Sequence, residues 1–474
     1  MSRERKGAAR EPGSLARARW LLAERVSLAL SNTEVVPGTE QAGRVVRLAV
    51  PVEPVRPFRW LRSQSYFPRL YWSGRGEVSG IAAVGVADVH HGDALEGVGE
   101  LPKRLAALLT GEPQVRYYGG IRFDPLQEPD AEWLAFGAYR FILPRFELHA
   151  GPLEATLVCN LVLPRDAERH AEILEQIESL SLPQNARDDA IPAPVSRTDH
   201  PHKDGWRRNV EQALAAFSEG RLGKVVLARR AQFGFPRDLD ATLVAERLGE
   251  LTPDCFHFYA EPEEGTAFVS ASPERVFRRR GRDIESEVVA GTRPRGTSEA
   301  DDAELRDELL GSEKDKAEHM YVRMGIRESL APLCDDLEIE EGVSEMKLAS
   351  RRHLVSRVSG TLGEGVTDAD VLRALHPTPA VGGYPREKAL EEIRVLEPFD
   401  RGWYAGAVGW IGTDAAEFAV GIRSGLVRGD KLALFSGAGI VAGSTPEDEW
   451  AEIEQKISDF TRMFGLDPGR HAAR

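Results

Sequence analysis

Cysteine is scarce in this 474-residue chain: Cys159, Cys255 and Cys334 stand far apart. Thiols spaced this way form neither a disulfide framework nor a Cys-x-x-Cys metal site, and they fit a reducing compartment, the cytoplasm. Lysine is also rare, ten of the 61 basic residues, so a lysine inside an apolar strand is worth attention. No apolar run is long enough to span a membrane. Residues 1–6 are charged and no apolar stretch follows them, so they read as a frayed leader, not a secretory signal. Positive charge is in deficit. The net charge of −14 speaks against a general nucleic-acid surface. With 42% hydrophobic and 29% charged residues, the composition is that of a soluble globular protein, long enough for one large domain or two to three ordinary ones.

Leu15, Leu21, Leu22, Val26 and Leu30 recur at helical spacing and predict a helix over 15–31. Strand-like runs follow at 44–50, 70–72, 78–86, 133–143 and 154–162, with helices near 101–109 and 166–181. Residues 182–201 are rich in Pro, Asp, Ser and Asn and read as a linker. The expected division is a leader over 1–14, a first portion over 15–200, a second portion over 201–465 and a tail over 466–474. The second portion carries most of the chemistry. It predicts a helix at 206–219, strands at 224–230, 256–260, 267–270, 276–279 and 284–290, and a long helix over 303–330. A strand at 353–362, a helix at 369–375 and strands at 403–412, 417–424 and 431–436 follow. A closing helix spans 446–464, with Thr445 as N-cap and Pro446 at its first position. Many strands without regular βαβ alternation predict an α+β fold with a large, mostly antiparallel sheet.

The stretch from Ile284 to Gly296 starts as a strand and ends as a basic loop. Alternation sends Glu285, Glu287 and Val289 to one face. An edge strand with a charged solvent face is the plain explanation. Gly291, Thr292, Arg293, Pro294, Arg295 and Gly296 favour an anion site instead, with two guanidiniums and two permissive glycines. Lys224 opens an apolar strand, either snorkelling to water or desolvated and able to act as a base. Glu318 lies near the packed edge of the long helix and pairs ordinarily with Lys314. Glu449, Glu452 and Lys456 share one helical face. They make a surface pair or, with Glu318, a site for a hard cation such as Mg²⁺. The run from Phe435 to Gly443 matches a loose dinucleotide fingerprint, but too little chain follows for a nucleotide-binding half. Its glycines fit close approach to a small anion. Arg423 within an apolar strand, with Tyr404 nearby, suits a carboxylate ligand or a salt bridge. His376 sits on a Pro-rich turn, as a structural imidazole or a ligand contact.

Seven ordered segments resemble the chorismate-utilising enzymes, most closely the isochorismate synthases. They are Lys224 to Arg229; Ser272, Pro273 and Glu274; Glu287 with Ala290 to Gly296; Ser312 to Asp315 with Glu318 and His319; His376 to Ala380; Phe418 to Ser424; and Ser436 to Ile440 with Glu449 to Glu452. The runs from Tyr66 to Trp72 and from Tyr118 to Asp124 add a weaker match. The resemblance implies a single large α+β domain of two layered, mostly antiparallel sheets with helices outside, as in anthranilate synthase. The linker would then be an internal connection. It implies Mg²⁺ held by Glu318 and Glu452 with Glu449 nearby, gripping the ring carboxylate of chorismate. Lys224 would activate water for attack at C2, and Glu287 would protonate the departing C4 hydroxyl. Tyr404, Arg423, Gly437, Gly439 and Lys456 would bind carboxylates, and Thr292 and His376 would touch the ring. Hydroxide leaves poorly without an acid and water attacks poorly without a base, so both groups must be partly desolvated.

Relatives that use ammonia carry Gln where this chain has Lys224. Those that go on to expel pyruvate, the salicylate synthases, carry Thr where it has Ala380. The expected product is therefore isochorismate, for menaquinone or for a siderophore, with salicylate as the alternative and a non-catalytic binding protein as the reading from a different class. A monomer is expected, a homodimer being the other option, with neither nucleic acid nor membrane as partner.

Overall fold

The computed structural model describes residues 14–33, 43–109, 111–181, 190–349 and 351–466. The expected leader up to residue 13, residues 182–189 of the expected linker and the tail after Leu466 lie outside them. Twenty strands among the described residues join into one network, and every pairing is antiparallel. The network forks at strand Tyr139–Ala150. One edge of that strand pairs along its length with Gly80–Gly92. On its other edge the first half pairs with Tyr117–Ile121 and the second half with Ala155–Leu163.

From Gly80–Gly92 one arm runs through Arg69–Ser73, Phe256–Glu263, Thr266–Ser272, Ser424–Arg428 and Lys431–Ile440 to Lys224–Gly234. From Tyr117–Ile121 the other runs through Ala407–Ile411, Ala415–Val420, Arg275–Arg280 and Asp283–Pro294 to Arg351–Leu362. The arms form two facing layers. The chain passes between them at residues 273–274 and again at 421–423, and the two crossings lie side by side. There the Val420 N–H donates to the Glu274 carbonyl (3.0 Å) and the Ala271 N–H to the Arg423 carbonyl (3.2 Å).

Strand alternation explains the layering. On the first arm Phe258, Ala260 and Phe268 turn inward to a core shared with Phe277, Phe418 and Trp403 of the second. Their neighbours Tyr259, Val269 and Ala271 turn outward, beneath Leu22, Val26, Trp60, Ile173 and Val244 of the flanking helices. With both faces covered, these strands read as nearly continuous apolar runs.

The helix Leu15–Ser31 and the cap of the closing helix follow the sequence expectation: Thr445 Oγ1 accepts from the Asp448 N–H (3.2 Å). Several expectations need correction. The long helix is two, Glu299–Gly311 and Glu313–Leu330, because Ser312 takes an extended conformation and caps the second. The closing helix likewise breaks at Ile457. Trp133 belongs to a short 3-10 turn, not a strand. The linker contains strand Ser196–His200, paired with Lys224–Gly234. Helices Ala241–Leu251 and Arg386–Leu396 were not anticipated.

Near the fork, Arg145 is buried and donates to both oxygens of the fully buried Asp166 (2.6 and 3.1 Å), which also accepts from the Val162 N–H (2.7 Å). Removing one partner strands a buried charge. Asp166→Ala is expected to lower unfolding free energy by about 3–5 kcal/mol, measured by urea denaturation. An unchanged midpoint would show that this pair does not hold the fork together.

Candidate active site

Between the far ends of the two arms lies a cavity. Its wall carries Thr292, Ala380, Tyr404, Arg423, Gly437, Gly439 and Lys456, together with Glu318 and Glu452. Nine side chains or backbone positions expected from sequence are thus brought together. Lys224 stands directly behind them, fully buried, its Nζ 3.0 Å from Glu318 Oε1.

The strand expected over 431–436 continues through the first glycines of the glycine-rich run and ends at Ile440. Its small residues are imposed by the site. A Cβ at position 439 would stand 2.1 Å from Glu318 Oε1, and one at 437 would stand 2.8 Å from the Tyr404 hydroxyl. Tyr404 is stacked on Phe435 with ring centres 5.2 Å apart. Lys456 bridges the Gly437 carbonyl (2.8 Å) and Glu452 (2.7 Å).

Arg423 takes a left-handed backbone conformation, φ 47°, a strained state that persists only where surrounding structure enforces it. Its guanidinium donates to His353 Nε2 (2.9 Å), while His353 Nδ1 lies 2.9 Å from Thr292 Oγ1. Guanidinium cannot accept, so Nε2 is the acceptor and the ring proton sits on Nδ1, directed at Thr292. Burial, then the Arg423 and Arg351 charges, hold this imidazole well below its usual range and hence neutral. The Thr292 hydroxyl hydrogen is left to serve a ligand. His353 was absent from the sequence reading. It sits in the polar run at the start of an otherwise ordinary strand, which gave no local signal.

Besides Lys224, three expected site residues are not on the cavity wall. His376 is buried, donating from Nε2 to the carbonyls of Arg122 (3.0 Å) and Phe123 (3.2 Å), and burial pushes its pKa down to about 4. It anchors the turn preceding Ala380. Glu449 is buried behind Glu452 and paired to Lys314. Glu287, expected to face the ring, is held by Arg75 and Arg275 instead.

Glu274 is on the wall, at the crossing between layers. Burial pushes its carboxyl up to about 8, the neighbouring Glu287 and Glu318 acting in the same direction, and Lys224 and Lys456 against it. The Ser-Pro-Glu segment was noted in the sequence, but its glutamate was given no role. A polar residue wedged between two apolar strands was the available signal.

A hard cation of the Mg²⁺ type needs one or two carboxylates besides water and an anionic ligand. Glu318 and Glu452 supply these on one wall, and Glu449 Oε2 behind them is buried without a hydrogen-bond partner. Burial raises the Glu449 carboxyl and the adjacent Glu452 adds to this. At Glu452 burial also pushes upward, but Lys456, Lys314 and Arg293 outweigh it and keep the group ionised. Among the described residues no group of three or more His, Cys, Asp and Glu side chains is arranged to hold a metal ion, so the protein's own donors here are the two carboxylates of Glu318 and Glu452.

A family model described as "Chorismate binding enzyme" matches residues 30–465, and the chain belongs to this family. It is 34% identical over 473 residues to isochorismate synthase 2, chloroplastic, of Arabidopsis thaliana, covering 93% of this chain and 84% of that protein. It is 35% identical over 353 residues to the isochorismate synthase MenF of Bacillus subtilis, covering 73% and 74%. The solved structure of MenF, the menaquinone-specific isochorismate synthase from Escherichia coli, superimposes with a TM-score of 0.80 at 28% identity, covering 94% of this chain and 99% of that one. Anthranilate synthase component I from Streptococcus pneumoniae, at 19% identity and a TM-score of 0.66, shares the fold.

Because Glu318 fills the space beside residue 439, Gly439→Ala is expected to displace that carboxylate and cut kcat/KM for chorismate by about 10²-fold. The near-UV circular dichroism should stay close to that of the parent. A variant with parental kcat/KM would mean that Glu318 is not held by this contact.

Proposed function

We propose that this chain is an isochorismate synthase, converting chorismate to isochorismate by adding water at ring C2 and releasing the C4 hydroxyl as water. One observation carries the reading. The cavity pairs a buried lysine, Lys224, with one carboxyl, Glu274, that stays protonated at neutral pH. In this reading Lys224 takes the proton from the attacking water, and Glu274 gives its proton to the leaving oxygen. In this reading Glu287, the acid expected from sequence, is not the proton donor, because its carboxylate is engaged by Arg75 and Arg275 instead of lying on the cavity wall. Arg423, Lys456 and the Thr292 hydroxyl orient the two carboxylates and the ring. Glu318 and Glu452, with Glu449 behind, would hold Mg²⁺, which when bound neutralises and fixes the ring carboxylate. Ala380, small and on the wall, supports release of isochorismate over onward loss of pyruvate to salicylate.

The names of the relatives support this activity, and the 0.80 TM-score against the menaquinone-specific enzyme, beside 0.67 for a putative 2,3-dihydroxybenzoate-specific synthase from Bacillus anthracis, favours a menaquinone role. The three unpaired cysteines favour the cytoplasm. No helix among the described residues is long and apolar enough to cross a membrane. We read the active unit as a monomer, since a single chain supplies Lys224, Glu274, Glu318 and Glu452 around one cavity.

Incubation with chorismate and Mg²⁺ should give isochorismate, with little salicylate, and chelation should abolish turnover. Salicylate as main product would remove the Ala380 argument. Lys224→Ala and Glu274→Gln should each lower kcat by about 10²–10⁴-fold. Glu274 must be protonated to act, so kcat/KM should fall as pH rises through about 8, a limb that Glu274→Gln should lack. An active Glu274→Gln enzyme would return the acid to another residue.

A further inference from the structure

The first portion of the chain contributes no residue to the cavity wall, yet it sends one arginine to the edge of the site. Strand Arg69–Ser73 pairs with Phe256–Glu263, Ser73 opposite His257. Two residues later Arg75 lies over the face of Phe256, 5.3 Å from its centre. Arg275, from the strand that follows Glu274, lies 5.4 Å from the same ring. Between the two guanidiniums sits the Glu287 carboxylate. Arg75 donates to both of its oxygens, through Nη1 to Oε2 at 2.9 Å and through Nη2 to Oε1, and Arg275 Nη1 donates to Oε1 at 3.0 Å. Arg275 also holds Glu417 at 3.1 Å. Arg75 Nη1 further donates to the carbonyl of Pro273 at 2.6 Å, the residue just before Glu274.

We propose that Arg75 and Glu287 form a clamp that positions Glu274 and sets its proton affinity, making both of them positioning residues for the acid step; this rests on the reading of Glu274 as the acid. The geometry acts in two ways. The Pro273 carbonyl is gripped by Arg75, while the Glu274 N–H donates to Ser272 Oγ (3.2 Å) and its carbonyl accepts from Val420 (3.0 Å). The turn is therefore held on three sides. Electrostatically, Arg75, Arg275, Glu287 and Glu417 carry two charges of each sign and sum to zero. Glu274 also faces Lys224 from strand Lys224–Gly234, Glu318 from helix Glu313–Leu330 and Lys456 from helix Pro446–Lys456. Removing one member of the neutral quartet leaves a net charge beside it that no other group in that set cancels.

The two possible deletions leave opposite charges, which gives a test that loss of packing cannot mimic. Arg75→Met leaves an excess negative charge, disfavours ionised Glu274, and should move the alkaline limb of kcat/KM to higher pH. Glu287→Gln leaves an excess positive charge and should move that limb to lower pH. Each displacement should be about one unit. Arg75→Lys keeps the charge but not the fork, and should keep the limb while losing kcat about 10- to 100-fold at nearly unchanged KM. Limbs that stay in place, or move in the same direction, overturn the proposal. Should Arg75→Met fail to fold by near-UV circular dichroism, the downward shift in Glu287→Gln alone decides. Glu274→Gln separates the two levels: if it is active, the acid assignment is wrong; if it is inactive while the limbs do not move, only the clamp is wrong.

Discussion

Burying charge is costly unless each charge has a partner, and this requirement organises the site. Around one cavity the chain places Lys224 with Glu318, Lys456 with Glu452, Lys314 with Glu449, and two arginines with Glu287 and Glu417. Among the described residues Glu274 has no ion-pair partner, and in a desolvated site a carboxyl without one keeps its proton. On the proposed reading the acid is the carboxyl left without a cation, while Arg423, which donates to His353, remains available to a substrate carboxylate. The same bookkeeping leaves the lysine–glutamate pairs poised, since an ammonium and a divalent cation are alternative partners for the same oxygens.

Two features make that charge pattern possible. The fork at strand Tyr139–Ala150 lets a single sheet supply both walls. The two adjacent crossings then carry the chain from one wall to the other at Glu274 and Arg423. Backbone there cannot continue either ladder, and Arg423 accepts a left-handed conformation. A residue at such a crossing is fixed by strands on both sides, which suits a group that must hold its position within a fraction of an ångström.

Much of this was legible in the sequence because it rested on local pattern. Lys224 stood out because an apolar strand has little use for a buried amine. Glu452 and Lys456 were related by helical spacing, which coordinates preserve. Alternation placed Val289 on the face that meets the cavity, and Thr445 and Pro446 announced their helix. What escaped depended on partners far away in the chain. The acid role of Glu287 was implied only by the family resemblance, and nothing near it in sequence revealed Arg75, 212 residues away. His353 gained its role from Arg423 and Thr292. The linker looked separable by composition, although its later residues complete an edge of the sheet. The glycines of Phe435–Gly443 suggested close approach to a small anion, but the group that crowds Gly439, the Glu318 carboxylate, arrives from another helix.

The long-range pairings also bear on how the two portions relate. Strand Arg69–Ser73 of the first lies between strands 80–92 and 256–263, and strand Tyr117–Ile121 bonds to Ala407–Ile411 of the second. Each layer is thus stitched from both portions, and neither portion could close its sheet alone without exposing unpaired backbone edges. This gives the segment from Tyr66 to Trp72 a physical purpose beyond packing. Its strand must bind beside Phe256 for Arg75 to reach Glu287, so the charge balance next to Glu274 is complete only when the first portion is docked. On the proposed reading, the charges that set the proton affinity of Glu274 are therefore assembled only where both portions meet, at the contact between Arg75 and Glu287.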